Sequence, residues 1–348
     1  MAKRGLMERL QSGEGVVVAE GYLFEFENRG YLKAGGFVPE VVLEHPDLVR
    51  DLHREYVHAG SDVVLAFTYY GHRQKLRLIG REAELELMNR KALQIARQVA
   101  NETGTLLAGN ICNSTIFNPD DPKVLKEIYD MMSEQLAWAV EEGADFIVAE
   151  TFHHLGEALL ALKAIKDNGK GLPAVVTLAH HQSGITGAPS VAEACQRLEE
   201  AGADVVGVNC TRGPKTMLKD LVEIRKLCKG PIAAVPVPYR TDEAHPVFQS
   251  LLDVENPEKS AFPTGLDPWL CSRSQIHEFS KQAWDLGVRY IGLCCGNKSH
   301  MLREMSAAVG RNPPAMKYAP DMTLHYSRIK DEKHNFTRSA FTVNYKTE

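Results

Sequence analysis

Three cysteines are the residues of this chain whose types and positions most clearly suggest shared chemistry. Cys210 lies in the string V-G-V-N-C-T-R-G, and the adjacent Cys294 and Cys295 lie in Y-I-G-L-C-C-G-N. Neither string is a C-x-x-C loop. Three thiolates that converge would give zinc three protein ligands and leave one coordination position open, which suits ionising an incoming thiol. The alternative for each cysteine taken alone is a small apolar core residue.

The elements that must position these cysteines follow from the hydrophobic pattern. Short runs rich in Val and Ile alternate with amphipathic stretches of helical length, which is typical of βα units and a parallel sheet. No G-x-G-x-x-G follows the first run, so the pattern favours a (β/α)8 TIM barrel over a doubly wound sheet. Eight strands are predicted, and they end at Glu20, Phe67, Asn110, Glu150, Ala179, Asn209, Val237 and Leu293.

The positions of glycine residues along the chain agree with this organisation. Glycines at positions 60, 143, 202 and 287 predict left-handed helix ends directly before strands. The barrel is predicted over residues 1–311, with a C-terminal extension over 312–348 that is either an oligomerisation arm or disordered. Residues 238–272 form an unusually long connection after the seventh strand, which predicts a lid or a docking loop.

In a TIM barrel the carboxyl ends of the strands converge on the face that carries the active site. That rule places on one face Glu20, Gly21, Thr68, Tyr69, Tyr70, Asn110, Glu150, Asn209, Cys210, Cys294 and Cys295. The remaining cysteines are predicted elsewhere, with Cys195 and Cys228 in helices and Cys112 and Cys271 in loops. The three cysteines of the site would therefore share their face with two carboxylates and an aromatic pair.

Charged and aromatic residues on this face predict two further functions. Glu20 and Glu150 close apolar strands, where a carboxylate can hold the ammonium group of an amino acid or be an ordinary solvated charge. The run F-T-Y-Y at 67–70, with Phe37 and Phe152, could pack in the core or form a pocket for a methylated cation, because aromatic faces attract quaternary ammonium. The paired histidines at 153–154 and 180–181 are predicted to be solvated or loop residues.

Composition excludes several classes of protein. The net charge of -5 and the scattered Lys and Arg residues give no basic patch for nucleic acid. No run approaches the roughly 20 apolar residues of a membrane span, and the first residues have no apolar signal region. Seven cysteines, an odd number, indicate reduced thiols rather than a disulfide framework. We therefore expect a cytoplasmic protein without nucleic-acid or membrane partners.

Several strings together make the chain resemble the zinc-dependent homocysteine S-methyltransferase family, in particular its betaine branch. They are E-N-R-G-Y-L-K-A-G, F-T-Y-Y, D-F-I-V-A-E-T-F, G-V-N-C, F-P-T-G-L-D-P and G-V-R-Y-I-G-L-C-C-G. The resemblance covers residues 14–312. It implies that Cys210, Cys294 and Cys295 bind Zn²⁺ and that homocysteine sulfur takes the open position.

The resemblance also implies roles for the other residues of this face. Glu20, Glu150 and the Gly21 backbone would hold the amino-acid end of homocysteine, with Asn209 beside them. The side chains that would face the methyl donor are Phe37, Tyr69 and Tyr70. Tyr70 would also occupy the open zinc position before substrate arrives.

The implied activity is methyl transfer from glycine betaine or a related onium compound to homocysteine, giving methionine and the demethylated donor. Phe37 and Thr151 stand where the animal betaine enzymes carry Trp and Tyr, so the donor stays open. One alternative is a homocysteine S-methyltransferase that uses a sulfonium donor such as S-methylmethionine. Another is a non-catalytic barrel that binds zinc and a thiol. A homo-oligomer is expected by analogy with the family.

Overall fold

The chain folds into a closed barrel of eight parallel strands, described here from a computed structural model for residues 4–325. Each strand pairs with the next along the chain, and β1 closes the barrel against β8, with Val16 opposite Tyr290. The predicted (β/α)8 TIM barrel is confirmed, and every predicted strand end lies within two residues of the observed one. The strands are β1 Val16–Ala19, β2 Val63–Leu65, β3 Leu106–Cys112, β4 Phe146–Phe152, β5 Ala174–Leu178, β6 Val205–Asn209, β7 Ile232–Val235 and β8 Val288–Leu293.

The strands are buried on both faces, which explains why their sequences are continuous apolar runs. Every residue of β3 and of β4 is buried. One face of a barrel strand packs in the interior and the other packs against the surrounding helices, so alternation of apolar and polar residues is not required. Polar residues in these two strands are confined to their carboxyl halves, where Asn110 and Glu150 are buried.

Helices fill the connections between strands. The glycines predicted to end helices all adopt left-handed conformations, with φ from 79° at Gly143 to 119° at Gly60. The helices are α1 Leu6–Gln11, α2 Tyr22–Asn28, α3 Val41–Glu44, α4 Pro46–Ala59, α5 Arg73–Leu78, α6 Leu85–Thr103, α7 Pro122–Glu141, α8 Leu155–Asn168, α9 Val191–Glu200, α10 Pro214–Leu227, α11 Arg273–Asp285 and α12 Ser299–Ala308. None of the helices within residues 4–325 combines the length and apolar character needed to cross a membrane.

An irregularity in β4 lies at the carboxyl end of the barrel. The register between β4 and β5 shifts between Ala149 and Phe152. Thr151, inside this shift, has a φ of 63°, a left-handed conformation that is uncommon for residues other than glycine. A bulge of this kind changes the direction of the side chains around it. The strand therefore loses its simple alternation where Glu150 and Thr151 enter the active-site face.

The long connection after β7 is held to the barrel mouth by aromatic contacts. The Phe248 ring stacks on the Tyr239 ring with centroids 5.8 Å apart, and it lies 5.9 Å from the ring of Phe24 in α2. Phe262 packs edge-on against Phe248 at 5.3 Å. These contacts place part of the connection beside α2, and its function as a lid or docking loop stays a prediction.

The chain remains attached to the barrel after α12. Arg311 donates hydrogen bonds to the carbonyl oxygens of Glu14 and Gly15, and its guanidinium pairs with Asp62 at 3.1 Å. These contacts tie residue 311 to the start of β1. Most of the predicted C-terminal extension, residues 326–348, lies outside the described residues.

Candidate active site

The three predicted cysteines meet at the carboxyl ends of β6 and β8. Their Sγ atoms all lie within 4.8 Å of one another, with 3.7 Å between Cys210 and Cys295 and 3.9 Å between Cys294 and Cys295. A Zn–S bond of about 2.3 Å in a tetrahedral site implies sulfur atoms about 3.8 Å apart. The spacing of the sulfur atoms therefore fits a tetrahedral zinc ion.

A strained turn places Cys210 in this group. Cys210 and Thr211 have φ values of 55° and 50°, both left-handed. Backbone hydrogen bonds hold the turn on both sides, from the Cys210 amide to Val235 and from the Phe248 amide to Thr211. Strained conformations persist only where the surrounding structure fixes them, and they cluster at functional sites.

The pKa values of the three thiols are shifted in opposite directions. Hydrogen bonding to Cys294, and then to Cys295, lowers the pKa of Cys210 well below its ordinary value. Hydrogen bonding to Cys210 raises the pKa of Cys294 and that of Cys295 well above it. These directions favour a thiolate at Cys210, and a divalent cation among the sulfur atoms would let all three thiols ionise.

Two buried carboxylates lie beside the cysteines. Carboxylate oxygens of Glu20 and Glu150 and the Cys294 sulfur lie within 4.8 Å of one another. Burial, then the charge of Glu150, raises the pKa of Glu20 well above its ordinary value, and burial raises the pKa of Glu150 to about 7. Oε2 of Glu20 is buried and has no hydrogen-bond partner among the described residues. A cation between the two side chains would allow both to ionise.

Two buried asparagines orient Glu150. Asn110 donates to one carboxylate oxygen at 2.6 Å, and Asn209 donates to the other at 2.9 Å. The Asn209 amide also donates to the Thr151 hydroxyl and accepts hydrogen bonds from the Thr151 amide and the Thr177 hydroxyl. Asn209 is therefore fully engaged with protein groups, and its contact with a substrate stays a prediction.

A small cavity opens beside these groups. Most of the predicted site residues line it, but its wall does not include Phe37, Tyr70 or Asn209. The wall consists of Glu20, Gly21, Tyr22, Leu23, Leu65, Ala66, Phe67, Tyr69, Asn110, Glu150, Thr151, Cys210, Cys294 and Cys295. The three cysteines, the two glutamates and three aromatic residues thus line a common space.

Three aromatic residues were predicted to face a methyl donor, and one of them lines this cavity. Tyr69 lines it, and the Tyr70 ring packs against Tyr69 with centroids 4.4 Å apart. The Lys75 ammonium lies over the Tyr70 ring, 4.2 Å from its centroid. Phe37, with a φ of 52°, stacks on Phe24 at 5.5 Å and belongs to the aromatic cluster of the long connection.

Some residues differ from what their sequence positions suggested. The prediction that Cys112 lies in a loop is wrong, because it is the last residue of β3 and its sulfur accepts a hydrogen bond from the Tyr70 amide at 3.3 Å. His180 lies in the loop after β5, one of the two alternatives predicted for it, but it is buried and hydrogen-bonded to Asp220 at 2.8 Å. Tyr22 lines the cavity but was not predicted as a site residue, although it directly follows Gly21, which was.

Comparison with known proteins decides the family. A sequence profile described as Homocysteine S-methyltransferase matches residues 21–309. The betaine–homocysteine S-methyltransferase 1 of Xenopus laevis is 36% identical over 315 residues, covering 88% of this chain and 75% of that protein. The chain belongs to the homocysteine S-methyltransferase family. Its prediction as a methyltransferase enzyme of this family is confirmed.

Two more relatives support this family, and a solved structure shares the fold. The betaine–homocysteine S-methyltransferase 1 of Mus musculus is 36% identical and covers 90% of this chain and 78% of its own length. The S-methylmethionine–homocysteine S-methyltransferase BHMT2 of Pongo abelii is 35% identical, with coverages of 90% and 85%. The metallated form of the homocysteine methyltransferase MmuM from Escherichia coli shares the fold, with a TM-score of 0.65 at 16% identity over 84% of this chain and 95% of that one.

Proposed function

We propose that this protein transfers a methyl group from glycine betaine or a related onium compound to the sulfur of homocysteine. The products are methionine and the demethylated donor, which is dimethylglycine if the donor is betaine. The observation that carries the proposal is a cluster of three sulfur atoms, at the spacing of tetrahedral zinc ligands, beside a cavity with two buried carboxylates. The relatives named for betaine and homocysteine support it.

Cys210, Cys294 and Cys295 would hold the zinc ion. When bound, zinc would lower the pKa of the homocysteine thiol while leaving its sulfur nucleophilic. Within residues 4–325, the group of His, Cys, Asp and Glu side chains around the three sulfur atoms contains no fourth Cys or His. An open position for a substrate sulfur follows from that ligand set, and the metallated form of MmuM is consistent with a metal in this fold.

Glu20 and Glu150 would bind the ammonium group of homocysteine. Burial raises the pKa of both carboxyl groups, and the charge of Glu150 raises that of Glu20 further. An ammonium group between them would favour ionisation of both. Asn110 and Asn209 hold Glu150 in place through both of its oxygens. The backbone of Gly21 lies in the cavity wall beside them, where it can meet the substrate carboxylate.

The reaction is a substitution at the methyl carbon. The homocysteine thiolate supplies the electron pair of the new S–CH3 bond, and the bond between the methyl carbon and the onium nitrogen or sulfur breaks. That electron pair leaves with the donor, which becomes a neutral amine or sulfide centre, so the donor needs no proton. Tyr69 in the wall, with Tyr70 packed on it, offers π faces to the positive onium.

A sulfonium donor such as S-methylmethionine is the second candidate. The relative from Pongo abelii that is named for this donor is 35% identical, nearly as similar as the relatives named for betaine. Phe37, packed on Phe24, is a smaller aromatic surface than the Trp of the animal betaine enzymes, which weakens the case for a quaternary ammonium. A sulfonium uses the same thiolate and the same direction of attack.

A donor screen tests the proposal and separates the two candidates. Zinc-loaded protein is incubated with homocysteine and, in parallel, with glycine betaine, dimethylsulfoniopropionate and S-methylmethionine, and methionine is quantified. Methionine from glycine betaine supports the first candidate, and methionine from the sulfonium compounds alone supports the second. Zinc binding without methionine from any onium donor would favour the non-catalytic barrel.

We also propose that the protein works as a homo-oligomer in the cytoplasm. Large apolar side chains of the segment after α12 are exposed, including Leu324 at 75% and Tyr318 at 66%. Exposed apolar side chains that occur together commonly mark contact surfaces. Light scattering on the full chain measures the oligomeric state, and a monomer at micromolar concentration would contradict this part of the proposal.

A further inference from the structure

Asn110 in β3 has one end of its side-chain amide paired and the other end free. Its Nδ2 atom donates a hydrogen bond to Glu150 at 2.6 Å. Its Oδ1 atom is buried and has no hydrogen-bond partner among residues 4–325, and only 3% of the residue's surface is exposed. A buried amide oxygen that has given up water without gaining a partner is costly. The free oxygen is therefore explained best by a hydrogen-bond donor that comes from outside the chain.

Neighbouring contacts fix the orientation of this amide. Glu150 accepts hydrogen bonds through both of its oxygens, from Asn110 and from Asn209, so the nitrogen end of the Asn110 amide faces it. The main-chain carbonyl oxygen of Asn110 accepts a hydrogen bond from the Thr68 hydroxyl at 2.7 Å, which holds the backbone in place. Reversal of the amide would set its oxygen against a carboxylate oxygen, and both groups are acceptors. Oδ1 is consequently the end that stays available to a ligand.

The free oxygen belongs to a residue of the active-site cavity wall. Asn110, Glu20 and Glu150 all line this cavity. Oxygens of the two glutamates lie within 4.8 Å of each other, and Glu20 also has a buried oxygen, Oε2, without a partner. The cavity wall, as residues 4–325 form it, contains no Lys, Arg or His. This end of the cavity is therefore rich in acceptors, and the protein supplies no cation to it.

A primary ammonium group matches this set of acceptors. It carries three N–H donors, of which Glu20 and Glu150 can take two and Oδ1 of Asn110 the third. A methylated onium group attracts the two carboxylates by its charge, but it has fewer N–H groups or none. The neutral amide oxygen gains nothing from charge alone and would stay buried and unpaired. Asn110 accordingly distinguishes cations that the carboxylates by themselves would bind alike.

We infer that Asn110 is a specificity-determining residue that accepts the third N–H of the homocysteine ammonium group and so keeps methylated cations away from the two glutamates. This inference rests on the proposed function, in which one substrate carries a primary ammonium and the other a methylated onium. Two carboxylates without the amide would also attract the methyl donor, which would then occupy the place of homocysteine. Selection for N–H groups assigns each cation to its own part of the cavity.

Calorimetry on the zinc-loaded protein, under reducing conditions, tests the role of Asn110 without relying on turnover. It compares homocysteine with N-methylhomocysteine, which has one N–H fewer. The wild-type protein should bind homocysteine about 10- to 100-fold more tightly, the range for one buried acceptor left unpaired. In Asn110→Leu the two affinities should become nearly equal, because the side chain no longer needs an N–H. Asn110→Ala gives the same comparison with a smaller side chain if the leucine variant does not fold.

Asn209→Leu is the matched control, because it also removes one hydrogen bond to Glu150 but leaves Asn110 in place. It should weaken both ligands by a similar factor and keep the wild-type ratio of affinities. A wild-type ratio in Asn110→Leu would instead indicate rejection of the methyl group by size, since leucine and asparagine side chains are similar in volume. That result, an equal fall of the ratio in Asn209→Leu, or equal affinities in the wild-type protein would each overturn the inference. Selective homocysteine binding without methionine from any onium donor would refute the proposed function and leave the role of Asn110 intact.

Discussion

Gly21 lies so close to Cys294 that a Cβ atom on Gly21 would be 2.3 Å from the Cys294 carbonyl oxygen. The φ of Gly21 is 86°, which is also unfavourable for any other residue. The end of β1 and the cysteine pair after β8 are therefore packed backbone against backbone. This packing joins the carboxylate half of the site, beside Glu20, to the sulfur half.

Replacement of Gly21 by alanine should damage both halves together. Gly21→Ala is expected to lower the free energy of unfolding by roughly 3 kcal/mol or more, from the strained φ and the clash with Cys294. Gly30→Ala is the matched control, because Gly30 has a φ of 78° with nothing within 4 Å of an added Cβ, and it should cost about 1 kcal/mol. Urea unfolding measures the difference, and equal losses in the two variants would show that the Cys294 contact is unimportant.

Removal of the Glu150 charge should weaken the binding of homocysteine rather than that of the methyl donor. Glu150→Gln keeps the shape of the side chain but cannot neutralise an ammonium group, so the KM for homocysteine should rise roughly 100-fold or more. Glu157→Gln provides a control, since Glu157 is a buried glutamate outside the cavity wall that accepts a hydrogen bond from the Ser114 amide at 2.7 Å. A rise confined to the donor KM would contradict the assignment.

The positioning role of Asn209 can be separated from its structural role. Asn209→Leu leaves Glu150 without one of its donors, and we expect a loss of about 2 kcal/mol in unfolding free energy and a roughly 10-fold rise in the KM for homocysteine. Asn89→Leu should cost similar stability, because Asn89 is also buried and donates to the Gly71 and Leu85 carbonyl oxygens. Steady-state kinetics should then show an unchanged KM in the Asn89 variant, and a similar rise there would argue against positioning by Asn209.

The stability of the protein should decrease on mild acidification because of His53. Both ring nitrogens of His53 are buried without a partner, and burial lowers the pKa of this side chain to about 3. In the unfolded chain His53 binds a proton as the pH falls through 6.5, whereas in the folded protein it does so only near pH 3. The contribution of neutral His53 to the stability of the folded protein is therefore complete above pH 6.5 and is lost as the pH falls towards 3. The loss from this one group is roughly 1.4 kcal/mol per pH unit.

Unfolding measured between pH 4 and pH 7 checks the role of His53. His53→Leu should have a shallower dependence of stability on pH in this interval. His58→Gln, in the same helix but exposed, should keep the slope of the wild-type protein. An unchanged slope in the His53 variant would assign the acid sensitivity to other groups.

Much of the fold could be predicted from sequence because its signals are local. Continuous Val and Ile runs match strands buried on both faces, and glycines such as Gly60 match left-handed helix ends. The meeting of Cys210 with Cys294 and Cys295 also follows from the strand order of a barrel. The residues themselves and the general geometry of the fold were sufficient for these features.

Other parts of the site depend on contacts between distant residues and had no local signal. Lys75 lies in the polar string R-Q-K-L-R-L, which is typical of a solvated helix, yet only 8% of its surface is exposed and its ammonium lies over the Tyr70 ring. His180 is paired with a residue 40 positions away. Asn209 carries a pattern of four hydrogen bonds that appears only when β4, β5 and β6 lie side by side.

The central claim is that three cysteines form a zinc site that activates homocysteine. The most direct measurement is zinc content together with methionine formation in the wild-type protein, in Cys294→Ala and in Cys112→Ala, which removes a buried thiol outside the cluster. We predict about one zinc per chain and methionine formation in the wild-type protein and in the Cys112 variant, and loss of both in Cys294→Ala. Full zinc content and full activity in Cys294→Ala would contradict the claim.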